Sequence, residues 1–408
     1  MKKTAMFTVF LVVLVDLIGF GIVLPLLPFY ALKFSASPFS IGFLYSIYSL
    51  AQLVFSPFWG GLSDRIGRRP VMLLSTLGAS AAYGVFAFAP SFTALLLSRL
   101  AGGMMGGNIS TAQACVADLT SHENRTKGMG LLGAAFGIGF VLGPALAAGF
   151  LHPQFPETLS RLGLRELASL ARENPYAFPG LFAAFLSLTS FALVGLKLPE
   201  TAPLERTRPP ALARPRVWSR EFWSIIRSPD GSSHLLRTLF VCLFLLAFGQ
   251  SSLYGAFPLF CEGILKMSGA KVGLQFAWMG LVAIVVQGGM IRSLEKKWGD
   301  RSLFFYGSIL MMIGMALIPF SRNAGMLAFS LTVMAVGGSL NGPTLNSLLS
   351  KQAPSLQVGS VMGTAQGLAA MGRAVGPTWG GILFGLRYPL PFLLTASLLS
   401  FAVAAGLK

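Results

Sequence analysis

Residues 62–69 read LSDRIGRR, and 232 positions later residues 294–301 read LEKKWGDR. The overlay matches Leu62 to Leu294, Gly67 to Gly299 and Arg69 to Arg301. At almost the same offset Asn108 meets Asn341, and GFVLGP at 139–144 meets GRAVGP at 372–377. One offset carrying three separate matches, in polar loop and apolar run alike, marks a duplicated chain.

What is duplicated follows from the composition. The 408 residues are 54% hydrophobic and only 11% charged, against roughly 25% charged in soluble domains, and the mean hydropathy is +0.70. Crossing about 30 Å of hydrocarbon takes roughly 20 apolar residues per helix. Runs of that length fall at about 5–30, 39–62, 70–89, 91–118, 128–150, 176–197, 235–260, 270–291, 302–320, 324–350, 357–383 and 388–407. They are continuous and do not alternate with period two, which argues against a membrane barrel. The expected fold is all-α and integral to the membrane: twelve transmembrane helices in two pseudo-symmetric six-helix bundles, residues 1–197 and 235–408. The proline- and arginine-rich stretch 198–234 reads as a basic cytoplasmic linker between them. The N-terminus, two lysines and an apolar run, is too long for a signal peptide and carries Asp16 in its middle, so it reads as a retained first span.

With the N-terminus inside, 21 of the 31 Lys and Arg fall on that side and 8 on the other, while Arg99 and Arg373 lie within spans. The positive-inside rule then puts both termini in the cytoplasm of a plasma (inner) membrane. The net charge of +17 is thereby a lipid-facing bias and not a sign of nucleic acid. The three cysteines and three histidines have no metal-ligand spacing, so neither metal nor organic cofactor is expected. No nucleophile–base pairing or phosphate-binding loop in a strand–helix setting is present, so an enzyme is not expected. Residues 157–172 place Leu159, Leu162, Leu167 and Leu170 near one helical face, predicting a short amphipathic helix on the outer surface.

The repeated motifs have physical readings. Gly60 and Gly61 end the second span, and Gly67 permits a tight turn. Asp64 accepts from amides at a helix start or pairs with an arginine. Arg65, Arg68 and Arg69 hold the loop on the cytoplasmic side, either as a clasp to the other half or as topology anchors alone. In Gly139-x-x-x-Gly143-Pro144 and Gly372-x-x-x-Gly376-Pro377 the glycines let helix backbones approach closely. The prolines remove a donor and bend the helix. An internal repeat of this kind is a transporter signature, with substrate bound between the repeats.

These residues resemble a known family. GGLSDRIGRRPVML, residues 60–73, is similar to the loop motif between spans 2 and 3 of the major facilitator superfamily. SRLAGGMMGGNISTAQACVADLT, residues 98–120, resembles its fourth-span motif, with Arg99, Gly103, Gly106 and Asp118 at the end, and Arg125 in the loop that follows. GIGFVLGPALAAG, residues 137–149, resembles the fifth-span motif of its drug/proton antiporters, and DLIGFGIVLPLLPFY, residues 16–30, the first span of the tetracycline/proton antiporter branch. The 151–175 loop is longer than that branch leads one to expect.

The intramembrane charges do not repeat: Asp16 would meet Gly249, Arg99 would meet Thr332 and Arg373 would meet Phe140. An ionisable group at membrane depth costs several kcal/mol unless paired or hydrated, which makes each a functional candidate. Asp16 is expected to bind the coupling proton, with Arg99 as its partner in a span that the resemblance places beside the same cavity. Arg373, Gln113, Gln250, Tyr254, Asn341 and Asn346 are candidate cavity residues, with interhelical bonding as the alternative. The expected activity is secondary transport by a monomer, with a small amphipathic compound or drug exported against protons. The alternatives are uptake or facilitated transport of a sugar or other metabolite, and a membrane receptor or scaffold that transports nothing.

Overall fold

The computed structural model describes residues 2–106, 108–120, 125–202, 233–353 and 358–407. Its helices in chain order are α1 (Lys2–Leu32), α2 (Pro38–Ile66), α3 (Arg68–Ala87), α4 (Phe92–Met105), α5 (Asn108–Leu119), α6 (Arg125–Phe150), α7 (Phe155–Arg161) and α8 (Arg165–Glu173). There follow α9 (Ala177–Lys197), α10 (Ser233–Gly263), α11 (Gly269–Val285), α12 (Ile291–Leu317), α13 (Ala324–Gln352), α14 (Val358–Leu386) and α15 (Leu390–Leu407). Eight helical stretches among the described residues are long and apolar enough to cross a membrane. Without water in hydrocarbon, the helix satisfies every backbone group within its own segment, which is why such runs fold this way.

The duplication extends into local backbone chemistry. Ser91 caps α4 by accepting from the Ala94 amide at 3.2 Å, and 232 positions on Asn323 caps α13 by accepting from the Met326 amide at 2.9 Å. Gly67 and Gly299 both adopt left-handed backbone, with φ of 104° and 73°. The latter breaks what would otherwise be a continuous rod from α11 into α12. Ser35 and Lys266, in corresponding loops, share φ values of 55° and 53°.

Two compact units emerge, the first holding Met1–Ala36, Leu50–Arg206 and Cys261–Gly280, the second Ser37–Ser49, Thr207–Phe260 and Leu281–Lys408. In the first, α6 is gripped on both sides by glycine. A Cβ at Gly143 would stand 2.6 Å from the Cα of Gly21 on α1. One at Gly273 on α11 would stand 2.9 Å from the Pro144 carbonyl oxygen, and one at Gly280 equally near that of Phe140. The Phe140 carbonyl is the one whose helical donor Pro144 lacks. In the second unit the Pro377 carbonyl oxygen of α14 is met in the same way by Gly255 of α10 and Gly42 of α2. Around the α1–α6 contact Val9, Val13, Leu17, Ala135 and Leu132 close a buried apolar core.

Three expectations change. The second helix does not end at Gly60 and Gly61; it runs on to Ile66, since both glycines face open space and nothing obstructs the next turn. The fourth apolar run is divided into α4, which ends by Gly106, and α5, and Trp59 and Gln52 of α2 donate to the Met104 and Gly106 carbonyls at 2.5 and 3.2 Å. Residues 157–172 are not one helix. Gly163, at φ 80°, folds them into the α7–α8 hairpin. Leu159 is buried with Ala168 and Ala171, while Leu162 and Leu167 point outward.

Because α6 approaches α1 at backbone distance, Gly143→Ala is expected to destabilise the protein by about 1–3 kcal/mol. Gly149→Ala on the same helix faces nothing within 4 Å and should stay within about 0.5 kcal/mol of wild type. Thermal unfolding of both variants in detergent checks the contrast.

Candidate functional site

The charged loop between α2 and α3 is a densely bonded polar cluster of the first unit. Arg68 is buried, and its Nε donates to Asp118 Oδ2 at 3.0 Å. Its Nη1 reaches Asp64 Oδ1 at 2.6 Å and the Ser63 hydroxyl at 2.7 Å. Asp118, at the end of α5, is thus joined to the loop motif 50 residues before it. Arg69 donates to the Gly195 carbonyl at the end of α9. Both cations are therefore spent within their own unit, and Arg65 stays exposed. The side chain of Arg125 lies outside the described residues, as does most of the 198–234 linker.

The amides at the start of α3 do not go to Asp64, as its position suggested. They go to Glu200, whose Oε1 accepts from Arg68 N at 2.8 Å and whose Oε2 accepts from Arg69 N at 3.2 Å. The same carboxylate accepts from the Thr201 and Ala202 amides at 3.0 and 2.9 Å. Any side chain at Gly67 would collide with it, so the glycine serves both the turn and the cap. Glu200 was missed in the sequence because it sits 132 residues from its partner amide. Its only local signal is an acid directly after a span. Partial burial pushes the Glu200 carboxyl up, but the four amide donors outweigh this and hold it below its ordinary 4.5.

The second unit repeats the arrangement with the charges exchanged. At the position matching Arg68 stands Asp300, buried, which accepts from Lys351 Nζ and the Ser347 hydroxyl, both at 2.6 Å. Lys351 in turn matches Asp118. The Arg–Asp pair of one half is an Asp–Lys pair in the other, so pairing is retained while polarity is not.

At membrane depth in the first unit Arg99 of α4 is 2% exposed. Its guanidinium carbon lies 4.9 Å from the Phe86 ring centroid and 5.7 Å from that of Tyr83, both on α3. Aromatic faces of this kind stabilise a desolvated cation. The Tyr83 hydroxyl also fills the space beside Gly19 on α1, where a Cβ would stand 3.1 Å from it. Asp16 lies one turn before Gly19 on the same helix face and is half-buried. Tyr83 thus spans the distance from Arg99 to the Asp16 face of α1, a link with no motif to announce it.

The cavity candidates separate. Asn341 is committed to helix packing: it is 2% exposed, its Oδ1 accepts from Ser308 at 3.3 Å, and a Cβ at Gly307 would run into it. Backbone contact between α12 and α13 leaves that amide no open face, which corrects the cavity assignment. Asn346 and Gln113 are half-buried on α13 and α5. Gln250, Tyr254 and Arg373 come together in the second unit, with Gln250 and Arg373 exposed although both lie inside long apolar helices.

A polytopic helical protein with duplicated charged loops, paired Gly-Pro helices and a few charges at membrane depth is a membrane transporter, not an enzyme. Residues 9–377 match the family model for the Major Facilitator Superfamily, and the chain belongs to that superfamily. It is 29% identical to the class B tetracycline resistance protein of Escherichia coli, over 93% of this chain and 88% of that one. It is 33% identical to major facilitator superfamily domain-containing protein 10 of Homo sapiens, over 82% of this chain and 71% of that one. The crystal structure of the human organic anion transporter MFSD10 (TETRAN) superposes with a TM-score of 0.71, covering 99% of both chains at 27% identity.

Two outcomes follow from these charged clusters. Arg68→Ala leaves Asp118 without its cation and should cost about 3 kcal/mol, and Lys351→Ala, which leaves the buried Asp300 with the Ser347 hydroxyl but without its cation, should lower the unfolding temperature as well. For Glu200 the folded carboxyl titrates below the unfolded one, so its contribution is present above about pH 4.5 and lost as pH falls through the folded value. The unfolding temperatures of wild type and Glu200→Gln should therefore differ fully at about pH 6 and converge as the pH falls below about 4.5.

Proposed function

We propose that this transporter is a proton-coupled antiporter of the plasma membrane that expels a small amphipathic organic compound. Both termini are cytoplasmic, the chain works as a monomer, and two six-helix halves rock about a site near the midplane. The observation that carries the reading is the neighbourhood of Asp16: a carboxyl on the α1 face that the Tyr83 hydroxyl meets, with Arg99 held over the same ring. Burial favours the protonated form of a carboxyl, and a nearby cation favours the ionised form. Motion of α1 relative to α3 and α4 exchanges these conditions, so the group loads a proton from one side and releases it to the other. The glycine seam between α1 and α6 supports such motion, because smooth backbone surfaces slide without unlocking side chains.

The relation to tetracycline resistance proteins supports export of a drug-like compound. The likeness to MFSD10, a human organic anion transporter, supports an organic solute over an inorganic one. In inverted membrane vesicles energised to an acidic interior, adding a substrate from a panel that includes tetracycline is expected to dissipate the pH gradient. Asp16→Asn is expected to abolish this response while the folded protein remains in the membrane. Substrate flux that ignores an imposed pH gradient would overturn the coupling.

A further inference from the structure

Arg373 stands at mid-length of α14, between the two glycines that press this helix onto α10. A Cβ at Gly372 would lie 2.8 Å from the Phe244 carbonyl oxygen, and one at Gly376 would lie 2.6 Å from that of Phe248. Those contacts set the rotation of α14 and leave Arg373 at the edge of the seam, where its electrostatic neighbour is Tyr254 of α10. Gln250 lies one turn before Tyr254 on the same face of α10 and is exposed. Tyr45 of α2 brings its ring to 6.2 Å from that of Tyr254, at 33°. All four residues belong to the second unit.

An exposed arginine at mid-span does not face hydrocarbon, because the cost of a charge there is prohibitive beside the alternative of water. Its exposed surface therefore opens on an aqueous face of the unit. Residues 235–408 contain three acids, Glu262, Glu295 and Asp300. Glu262 ends α10, Glu295 lies at the start of α12 beside the kink, and Asp300 is taken by Lys351. Among the described residues no carboxylate forms an ion pair with Arg373. An exposed guanidinium with an aromatic wall and a neutral amide beside it is matched by a ligand that supplies the missing negative charge and a flat apolar body. The planar fork suits a carboxylate or sulfonate bidentately, and tyrosine rings take an aryl group by offset or tilted stacking.

We infer that Arg373, Tyr254, Tyr45 and Gln250 form a substrate site for an aryl organic anion, with Arg373 binding the oxyanion and the two tyrosines the ring. The inference rests on the transport reading and narrows its substrate class.

The test is calorimetric binding to the purified full chain in lipid nanodiscs, with naphthalene-1-acetate and its uncharged amide as probes. Wild type is expected to bind the acid roughly tenfold more tightly than the amide, the worth of a charge-assisted pair. Arg373→Gln should remove that preference, Arg373→Lys should keep part of it, and Tyr254→Leu should weaken both probes. Equal binding of acid and amide by wild type, binding of neither, or a preference that survives Arg373→Gln overturns the assignment. The wild-type ratio decides even if a variant fails to fold. Acid flux that ignores a pH gradient would overturn proton antiport and leave the anion site standing. Gradient-driven flux of neutral compounds without acid binding would do the reverse.

Discussion

Two proline-bearing helices, α6 and α14, that other helices meet at backbone distance through glycines organise this protein. On α6 and α14 the helix carries a Gly-x-x-x-Gly-Pro segment, and each is met by a glycine from two other helices. Gly21 and Gly273 meet α6, and Gly255 and Gly42 meet α14. In a membrane there is no hydrophobic driving force between helices, so dispersion at backbone distance and weak Cα–H to carbonyl contacts carry association. Position along such a seam is determined by shape alone. That suits a machine whose helices slide, and it leaves the polar groups free for other work.

The polar groups fall into two sets with different rules. At the charged loops and helix ends they are densely bonded. Arg68 joins Asp64, Asp118 and Ser63, Glu200 caps α3, and Asp300 holds Lys351 and Ser347. The exchange of charge sign between halves shows what is retained there, which is the pairing itself and its position beside a left-handed glycine. At membrane depth the charges are few: Asp16 and Arg99 in one unit, Arg373 in the other. Arg99 lies against aromatic faces and Arg373 beside a tyrosine. A charge in an apolar helix is expensive, and its presence fits groups that exchange a proton or meet a solute.

Sequence and structure agree best where the signal is local or repeated. The apolar runs and the turns at Gly67 and Gly299 were legible, because periodicity and glycine chemistry act within a few residues. Glu200, Tyr83 and Tyr45 were not. Each is an ordinary residue type at an ordinary helix position, and its role depends on a neighbour that only the packing brings near. The same reason explains Asn341, which looks like any polar cavity residue until Ser308 and Gly307 are set against it.

By itself the chain determined its solvent, its duplication and the inventory of charges that membrane depth makes costly, since hydropathy and a fixed offset are properties of the string alone. Tertiary structure decided which groups each of those charges meets, which side of each glycine helix is a seam, and that a predicted amphipathic helix is a hairpin. Those outcomes hang on distances of a few ångströms between residues far apart in the chain, and no local pattern encodes a distance.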